Sequence, residues 1–500
     1  MPAETPLSTL IGWLSDHLLA TVNVSQPDLP VTGLSLSSQR ICPGDLYAAV
    51  PGARSHGASF AADAVACGAV AILTDQDGAV LCAHLDVAVL VVEQPRALLG
   101  ALAAKVYGEP AEALCLVAVT GTQGKTTTTR LAEGGLQSAG IASAVVGTVG
   151  TRINGVEVET ALTTPEAPDL HALFAMMREQ SVQGCMMEVS SHALVMGRVD
   201  GVVFDVAAFT NLGRDHLDFH STLEDYFSAK ASLFTPARAR RGLVNVDDEY
   251  GRRLLTESSV PTHTFSTSGA DADWMALDIA LTPTGSRFEV QTPDGERFPA
   301  QVPLPGHFNV ANALTAIAAL GEAGFDASDV ARGVASSPGV PGRLEQVDSG
   351  QDFQAIVDYA HKPDAVTASL TALRALTKGR LVVVLGAGGD RDHGKRQVMG
   401  KIAARLADVL IVTDDNPRTE DPVAIRAAML AGAMSVREAD RAELHESGDR
   451  RKAIRTAVAM AEAGDTVVVA GKGHETGQEV QGCVQPFDDR TVLREELASR

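Results

Sequence analysis

Thr120-Gly121-Thr122-Gln123-Gly124-Lys125-Thr126-Thr127 is the stretch that decides how this chain is read. It follows an apolar run, Cys115-Leu-Val-Ala-Val119, with the character of a buried strand, and it leads into Thr128 to Leu136, which predicts a helix. A strand, a glycine-rich turn ending in Gly-Lys-Thr and a helix together cradle a nucleotide's phosphates. Backbone N–H groups and the helix N-terminus face the anion, the lysine adds a point charge, and the next hydroxyl can ligate Mg2+. Gly121, Thr122, Gln123, Gly124, Lys125, Thr126 and Thr127 are therefore the candidate phosphate-binding residues. The spacing departs from the commonest form of the motif, because Val119 stands where a further glycine is usual.

On either side of this loop the chain alternates short apolar runs with helical patterns, which predicts an α/β protein. Its 500 residues exceed one ordinary core and predict three or four domains. Residues 1–110 read as a small α/β domain, with strands in Asp45–Val50, Ala69–Leu73 and Val87–Val92 and Gly108-Glu109-Pro110 at the boundary. Residues 111–345 read as a P-loop-like domain with a parallel sheet, whose later strands are Gly184–Glu188, Val202–Phe209 and Gly242–Val246. Thr284-Gly285 and Asp294-Gly295 between alternating runs predict a local antiparallel hairpin inserted there. Residues 346–500 read as a third, Rossmann-like α/β domain. Its strands Ala355–Val357, Leu381–Leu385, Val409–Val412 and Thr466–Ala470 each run into polar or glycine-rich residues. Ligands bind beyond the carboxyl ends of such strands.

Hydrophobic content of 45% and charged content of 21% are those of a soluble globular protein. A net charge of −21 argues against nucleic acid or an anionic membrane as partner, since both need a basic face. It leaves room for a small anionic substrate beside local cations. The cysteines at 42, 67, 82, 115, 185 and 483 form no metal-ligand spacing and read as small buried hydrophobes in a reducing compartment. Glu4 and Asp16 near the start, with no basic residue, predict no signal peptide, and no apolar run approaches the length of a membrane span. A cytoplasmic location is expected.

Glu188, at the end of its apolar strand in Glu188-Val-Ser-Ser-His-Ala-Leu194, is placed to serve a nucleotide-bound Mg2+. The segment Phe209 to His220 clusters Asp215, His216, Asp218 and His220, with His216 the candidate for the magnesium site. A helix N-terminus capped by Asp is the plainer alternative. In a chain poor in lysine, Lys230 lies among apolar neighbours in Tyr226 to Phe234. Either its pKa is depressed and its amine reactive, or its stem covers apolar surface while its head reaches water. Asn312 stands at the end of Gly306-His-Phe-Asn-Val-Ala-Asn312, suited to a base edge or to a cap, and Arg343 in Pro341-Gly-Arg-Leu-Glu345 is placed to reach a transferring phosphoryl group.

In order and over most of the chain, these strings resemble the Mur ligase family: Thr120–Thr127, Glu188–Leu194, Thr210–His220, Tyr226–Phe234, Gly306–Asn312 with the helix after it, Pro341–Glu345 and Asp358-Tyr-Ala-His-Lys-Pro-Asp364. Gly386 to Arg396, Asp414 to Pro422 and Gly471 to Glu475 resemble the branch that adds diaminopimelate. The resemblance implies an ATP-dependent ligase of peptidoglycan precursor synthesis. A carboxylate of UDP-N-acetylmuramoyl-L-alanyl-D-glutamate attacks the γ-phosphate of ATP, and the amine of meso-diaminopimelate then displaces phosphate. It implies an N-terminal domain for the UDP-sugar, a central ATPase domain and a C-terminal domain for the amino acid.

The same resemblance implies roles for single residues. Lys125, Lys230, Arg343 and His216 would be catalytic; Asn312, Arg343 and Asp358 would contact ATP; Thr126, Glu188 and His216 would serve Mg2+, with Lys230 carbamylated by CO2. Ser38, Thr163, Thr164, Ser190 and Arg198 match positions for the nucleotide-sugar dipeptide. Ser37-Ser38-Gln39 keeps only the serine of a stretch that often carries charges on both sides. Arg391, Asp415, Asn416, Pro417, Arg418, Gly471 and Glu475 match the amino-acid site. Arg418 would clamp the distal carboxylate that lysine lacks, and would be left unpaired, at a cost of several kcal/mol, were lysine to bind. The competing readings are a lysine-adding or folylpolyglutamate-type ligase of the same superfamily, a P-loop ATPase without an amino-acid acceptor, and a non-catalytic nucleotide-binding protein.

Overall fold

The computed structural model describes residues 4–217 and 219–500. Three α/β units follow one another. In the first, five strands lie in the order Leu18–Val22, Ala88–Val92, Ala71–Thr74, Asp45–Ala48 and Gly33–Ser35. Only Leu18–Val22 runs antiparallel to its neighbour. Ala71–Thr74 and Ala88–Val92 are buried throughout, which is why they read as unbroken apolar runs rather than alternating ones.

The second unit is built on an eleven-stranded sheet. Its parallel part runs Ser143–Val146, Gly184–Glu188, Cys115–Thr120, Phe204–Phe209, Ala239–Asn245, Thr262–Ser266 and Trp274–Thr282. The predicted hairpin is larger than expected and is no separate insert. Trp274–Thr282, Gly285–Gln291 and Arg297–Val302 form three antiparallel strands that continue the same sheet. At the other edge Thr151–Ile153 and Val156–Val158 form a short hairpin whose turn, Asn154-Gly155, takes positive φ at both residues. Helix His307–Glu322 packs into the core beside helix Lys125–Ser138; the small side chains of Ala313, Ala316, Ala318 and Ala319 allow the close approach.

The third unit has six strands, in the order Glu345–Gln346, Gln354–Asp358, Thr466–Ala470, Leu381–Leu385, Val409–Thr413 and Glu443–Ser447. All but the first pairing are parallel. A separate hairpin, Gly477–Val480 with Cys483–Pro486, lies beyond the sheet. The expectation of buried cysteines holds for two of the six, with Cys115 half-buried. Cys82 and Cys185 are buried, but Cys42, Cys67 and Cys483 are exposed, in a turn, at a helix end and in this hairpin; all six are free thiols. No helix among the described residues is long and apolar enough to cross a membrane.

Candidate active site

The carboxyl end of strand Cys115–Thr120 opens directly into the glycine-rich loop. Gly121 and Gly124 have φ of +145° and +88°. Close approach demands glycine there as much as conformation does. A Cβ on Gly121 would lie 2.0 Å from Thr210 Oγ1, and one on Gly124 would lie 2.3 Å from Asn312 Oδ1. Thr210 and Asn211 pin the loop from the next strand: Thr210 Oγ1 donates to Gln123 O at 2.7 Å, and Asn211 Oδ1 accepts from Gln123 N at 3.0 Å. Thr122 N donates to Asn211 O at 2.9 Å. The N–H groups of Thr122 and Gln123 are thus engaged within the protein. The donors facing outward begin at Gly124, where helix Lys125–Ser138 starts and its first turn has no intrahelical partners.

Two lysines meet at one carbonyl. Lys125 Nζ donates to Gly121 O at 2.7 Å, and Lys230 Nζ donates to the same oxygen at 2.9 Å. Lys230 is only 1% exposed and stands over the Tyr226 ring at 4.6 Å, so its head does not reach water. Burial, with Lys125 and Lys362 nearby, holds its pKa well below the usual lysine value. Burial likewise brings Lys125 down to about 8, against the opposing pull of Glu188.

Acidic and imidazole groups ring these amines. Glu188 is 1% exposed at the end of its strand and accepts from Thr148 N at 2.8 Å and from Thr148 Oγ1 at 3.1 Å. Asp215 ion-pairs with Lys362, which stands just before helix Pro363–Leu376 of the third unit, and lies 3.1 Å from His216 Nε2. Burial raises the Asp215 pKa, yet Lys362 and His216 outweigh it and hold the carboxyl at about 2. His216 adopts a left-handed backbone, φ +53°, and burial lowers its pKa to about 4, so it is neutral near pH 7. Asp218 lies outside the described residues. His220 Nε2 pairs with Ser191 Oγ at 2.9 Å, one helix away from the lysines.

The third unit closes over this site. Arg343 Nη2 donates to Thr126 Oγ1 at 3.2 Å, and its guanidinium stacks on Tyr359 at 4.5 Å. Asn312 is held by Asn309 at 3.1 Å, beside Gly124. Asp358 is buried and commits both oxygens to the protein, accepting from the N–H groups of Leu344 and Tyr359 and from the Ser369 hydroxyl. Burial raises its pKa. His474, brought to about 4 by burial, reaches the backbone of Thr148, the residue that holds Glu188. Lys362 and Thr148 were not among the residues singled out from sequence. Lys362 carried a usable signal, since lysines are few and it lies inside Asp358–Asp364; nothing marked Thr148.

The residues matched to the nucleotide-sugar dipeptide gather beside Glu188. Thr164 Oγ1 donates to Glu188 O at 2.9 Å and accepts from Ser190 N at 3.2 Å, while Thr163 Oγ1 lies 3.2 Å from Thr148 Oγ1. Arg198 donates to Glu166 at 2.9 Å and to Thr164 O at 3.4 Å. Ser38 sits apart in the first unit, opening the short turn Ser38–Arg40. There Arg40 pairs with both oxygens of Asp169 on the second unit, at 3.1 and 3.2 Å, so a charge does follow the Ser37-Ser38-Gln39 stretch.

In the third unit the strand ends bring together most of the residues matched to the amino-acid site. Asn416 Nδ2 donates to Glu475 at 2.8 Å, and Asn416 Oδ1 accepts from Lys472 at 3.0 Å. A Cβ on Gly471 would come within 2.5 Å of Asp415 Oδ2. Pro417 leaves its carbonyl against Gly389, where a Cβ would approach to 1.9 Å. Arg418 has a left-handed backbone, φ +53°, and its Nη1 donates to Gly389 O at 2.6 Å. Arg391 is exposed on the neighbouring loop. One expectation needs correction: Arg418 has a counter-ion of its own, Glu479 at 3.3 Å on the Gly477–Val480 strand, so a ligand without a distal carboxylate would not leave it unpaired. Sequence gave no sign of this, because the hairpin is polar and lacks strand alternation.

Sequence models of the Mur ligase family match in three places: the family's catalytic domain at residues 30–107, its middle domain at 119–320 and its glutamate ligase domain at 342–473. A UDP-N-acetylmuramoyl-L-alanyl-D-glutamate–2,6-diaminopimelate ligase of Streptomyces avermitilis is 54% identical over 496 residues, 99% of this chain and 97% of that one. The chain belongs to the Mur ligase family. The Streptomyces coelicolor Mur ligase of the same name is 55% identical over 98% of this chain and 96% of its own length. A solved Mur ligase structure, also named as a UDP-N-acetylmuramoyl-L-alanyl-D-glutamate–2,6-diaminopimelate ligase, superposes with a TM-score of 0.70 at 31% identity, covering 99% of both chains.

Proposed function

We propose that this protein is an ATP-dependent acid–amino-acid ligase that joins meso-diaminopimelate to UDP-N-acetylmuramoyl-L-alanyl-D-glutamate. The observation that carries this reading is the convergence of Lys125 and Lys230 on Gly121 O, with Arg343 brought in from the junction before the third unit and Lys362 from within it. Such a cluster beside a glycine-rich helix N-terminus suits a polyphosphate whose charge shifts during transfer. The relatives named for this reaction, matched over nearly the full chain, favour the same two substrates. Residues 1–110 would take the UDP-sugar, 111–345 the nucleotide and 346–500 the amino acid.

Lys125 and the N–H groups from Gly124 onward would hold the terminal phosphates, with Arg343 over the group in transit and Asn312 beside the loop. Thr163, Thr164, Ser190 and Arg198 would bring the dipeptide's carboxylate up to the γ-phosphorus, and Ser38 would touch the nucleotide-sugar. An oxygen of that carboxylate bonds to phosphorus as the bond to ADP breaks. The diaminopimelate amine then attacks the acyl carbon, inorganic phosphate departs with the transferred oxygen, and a proton is released. Asp358 would act by fixing the Leu344 and Tyr359 backbone on which Arg343 rests.

The donors suit Mg2+: Thr126 and Glu188 offer oxygens, and His216 is neutral. When bound, the ion would neutralise phosphate charge. Lys230 suits carbamylation, since a fully buried amine whose charged form is disfavoured is the form that captures CO2, and nearby cations favour the anion produced. Phosphate release tests the proposal. It should require the UDP-sugar dipeptide and diaminopimelate together, and a folate in place of the dipeptide should give none. ATP hydrolysis indifferent to both would overturn it. Lys230→Ala should abolish turnover and regain part of it with a short carboxylic acid; no rescue would count against the carbamate.

A further inference from the structure

The Arg418 guanidinium is the group that the resemblance to the Mur ligases implies for the distal carboxylate, and Glu479 already stands against it. Two kinds of contact tie Arg418 to the hairpin Gly477–Val480 and Cys483–Pro486, and they differ in character. The backbone contacts are tight: Arg418 N donates to Glu479 O at 3.0 Å, and Gln481 N donates to Arg418 O at 2.6 Å. With Nη1 on Gly389 O at 2.6 Å, these bonds fix where the arginine sits. The carboxylate contact is looser. Nε and Glu479 Oε2 are 3.3 Å apart, with side chains 24% and 38% exposed. An ion pair this open to water contributes little to stability and exchanges readily.

We infer that Glu479 is a built-in stand-in for the substrate's carboxylate, and that it sets how sharply the site separates diaminopimelate from lysine. A diaminopimelate carboxylate must compete with Glu479 for the same guanidinium, which weakens its binding. When lysine occupies the site, Glu479 stays paired with Arg418, so the guanidinium keeps a counter-charge. Both effects narrow the preference. Glu479 is therefore a specificity-determining residue that acts through Arg418 and not by bonding to the amino acid. This inference rests on the reading of Arg418 as the carboxylate clamp.

The test compares wild type, Glu479→Gln, Arg418→Ala and the double variant, each assayed with diaminopimelate and with lysine at saturating ATP and UDP-sugar dipeptide. Glutamine keeps the size and backbone bonds of residue 479 and removes its charge. In Glu479→Gln the KM for diaminopimelate should fall, and the ratio of kcat/KM for diaminopimelate over lysine should rise by up to about five-fold, the scale of a partly exposed ion pair. On the Arg418→Ala background the same change should leave the ratio unmoved. A diaminopimelate KM that rises in Glu479→Gln, or a ratio that stays put, overturns the inference while leaving the clamp intact. A ratio that Arg418→Ala itself does not lower defeats the clamp reading, whatever Glu479 does.

Discussion

At Gly124 a methyl group would meet Asn312 Oδ1 at 2.3 Å with φ at +88°. Gly124→Ala should therefore cost about 1–2 kcal/mol in backbone strain alone. It should also push the loop from Asn312, raising the KM for ATP about ten-fold or more; an unchanged KM would mean that the loop does not hold the nucleotide. Arg418→Ala should raise the diaminopimelate KM far more than the ATP KM, and equal effects on both would remove it as selector. Residues with distinctive chemistry were readable one by one: the loop glycines, Lys125 and Glu188 stand out by type and position, whereas Lys230 read equally as a lysine whose head reaches water. Partners were not. That Lys230 is sealed from water, that Asp358 spends its oxygens on Leu344, Tyr359 and Ser369, and that Arg418 faces Glu479 are facts of tertiary approach between distant segments.

Among elements, helix Pro363–Leu376 matters most for assembling the site, because Lys362 just before it reaches Asp215 on the second unit. Loss of a charge-assisted contact of this kind is worth about 1.5–3 kcal/mol. Lys362→Met should accordingly lower kcat/KM for ATP by about ten- to a hundred-fold, with the third unit's own fold intact by circular dichroism. Activity within two-fold of wild type would show that this contact does not position Asp215 and His216. The parallel strands were legible because burial on both faces makes them continuous apolar runs, as in Leu381–Leu385. Edge elements were not. Glu443–Ser447 and Gly477–Val480 are half exposed and polar, and so carry no run and no alternation. The Thr151–Val158 hairpin had its Asn-Gly turn, but its strands are only three residues each.

For the whole molecule, burial leaves several imidazoles neutral: His171, His216 and His474 fall to about 4 and His361 to about 3. Each has a folded pKa below its unfolded value near 6.5. Between the two the unfolded chain binds more protons, so stability falls as pH drops from 6.5 toward 4. His171, fully buried beside the Asp200 carbonyl at 3.5 Å, should account for about 3 kcal/mol of that loss. Denaturant titrations across this range should show a flatter profile for His171→Gln than for wild type; parallel profiles would contradict the assignment. The three-unit plan followed from the alternation of runs along the chain, whereas the way the third unit meets the second, through Lys362 and His474 with Arg343 at the junction, did not. On that meeting rests the central claim that a carboxylate is activated by phosphoryl transfer before an amine captures it. Oxygen-18 in the glutamyl carboxylate of the UDP-sugar dipeptide tests it. With ATP and diaminopimelate, each phosphate released should carry one labelled oxygen by mass spectrometry. Phosphate free of label, its new oxygen drawn from water, would contradict the account.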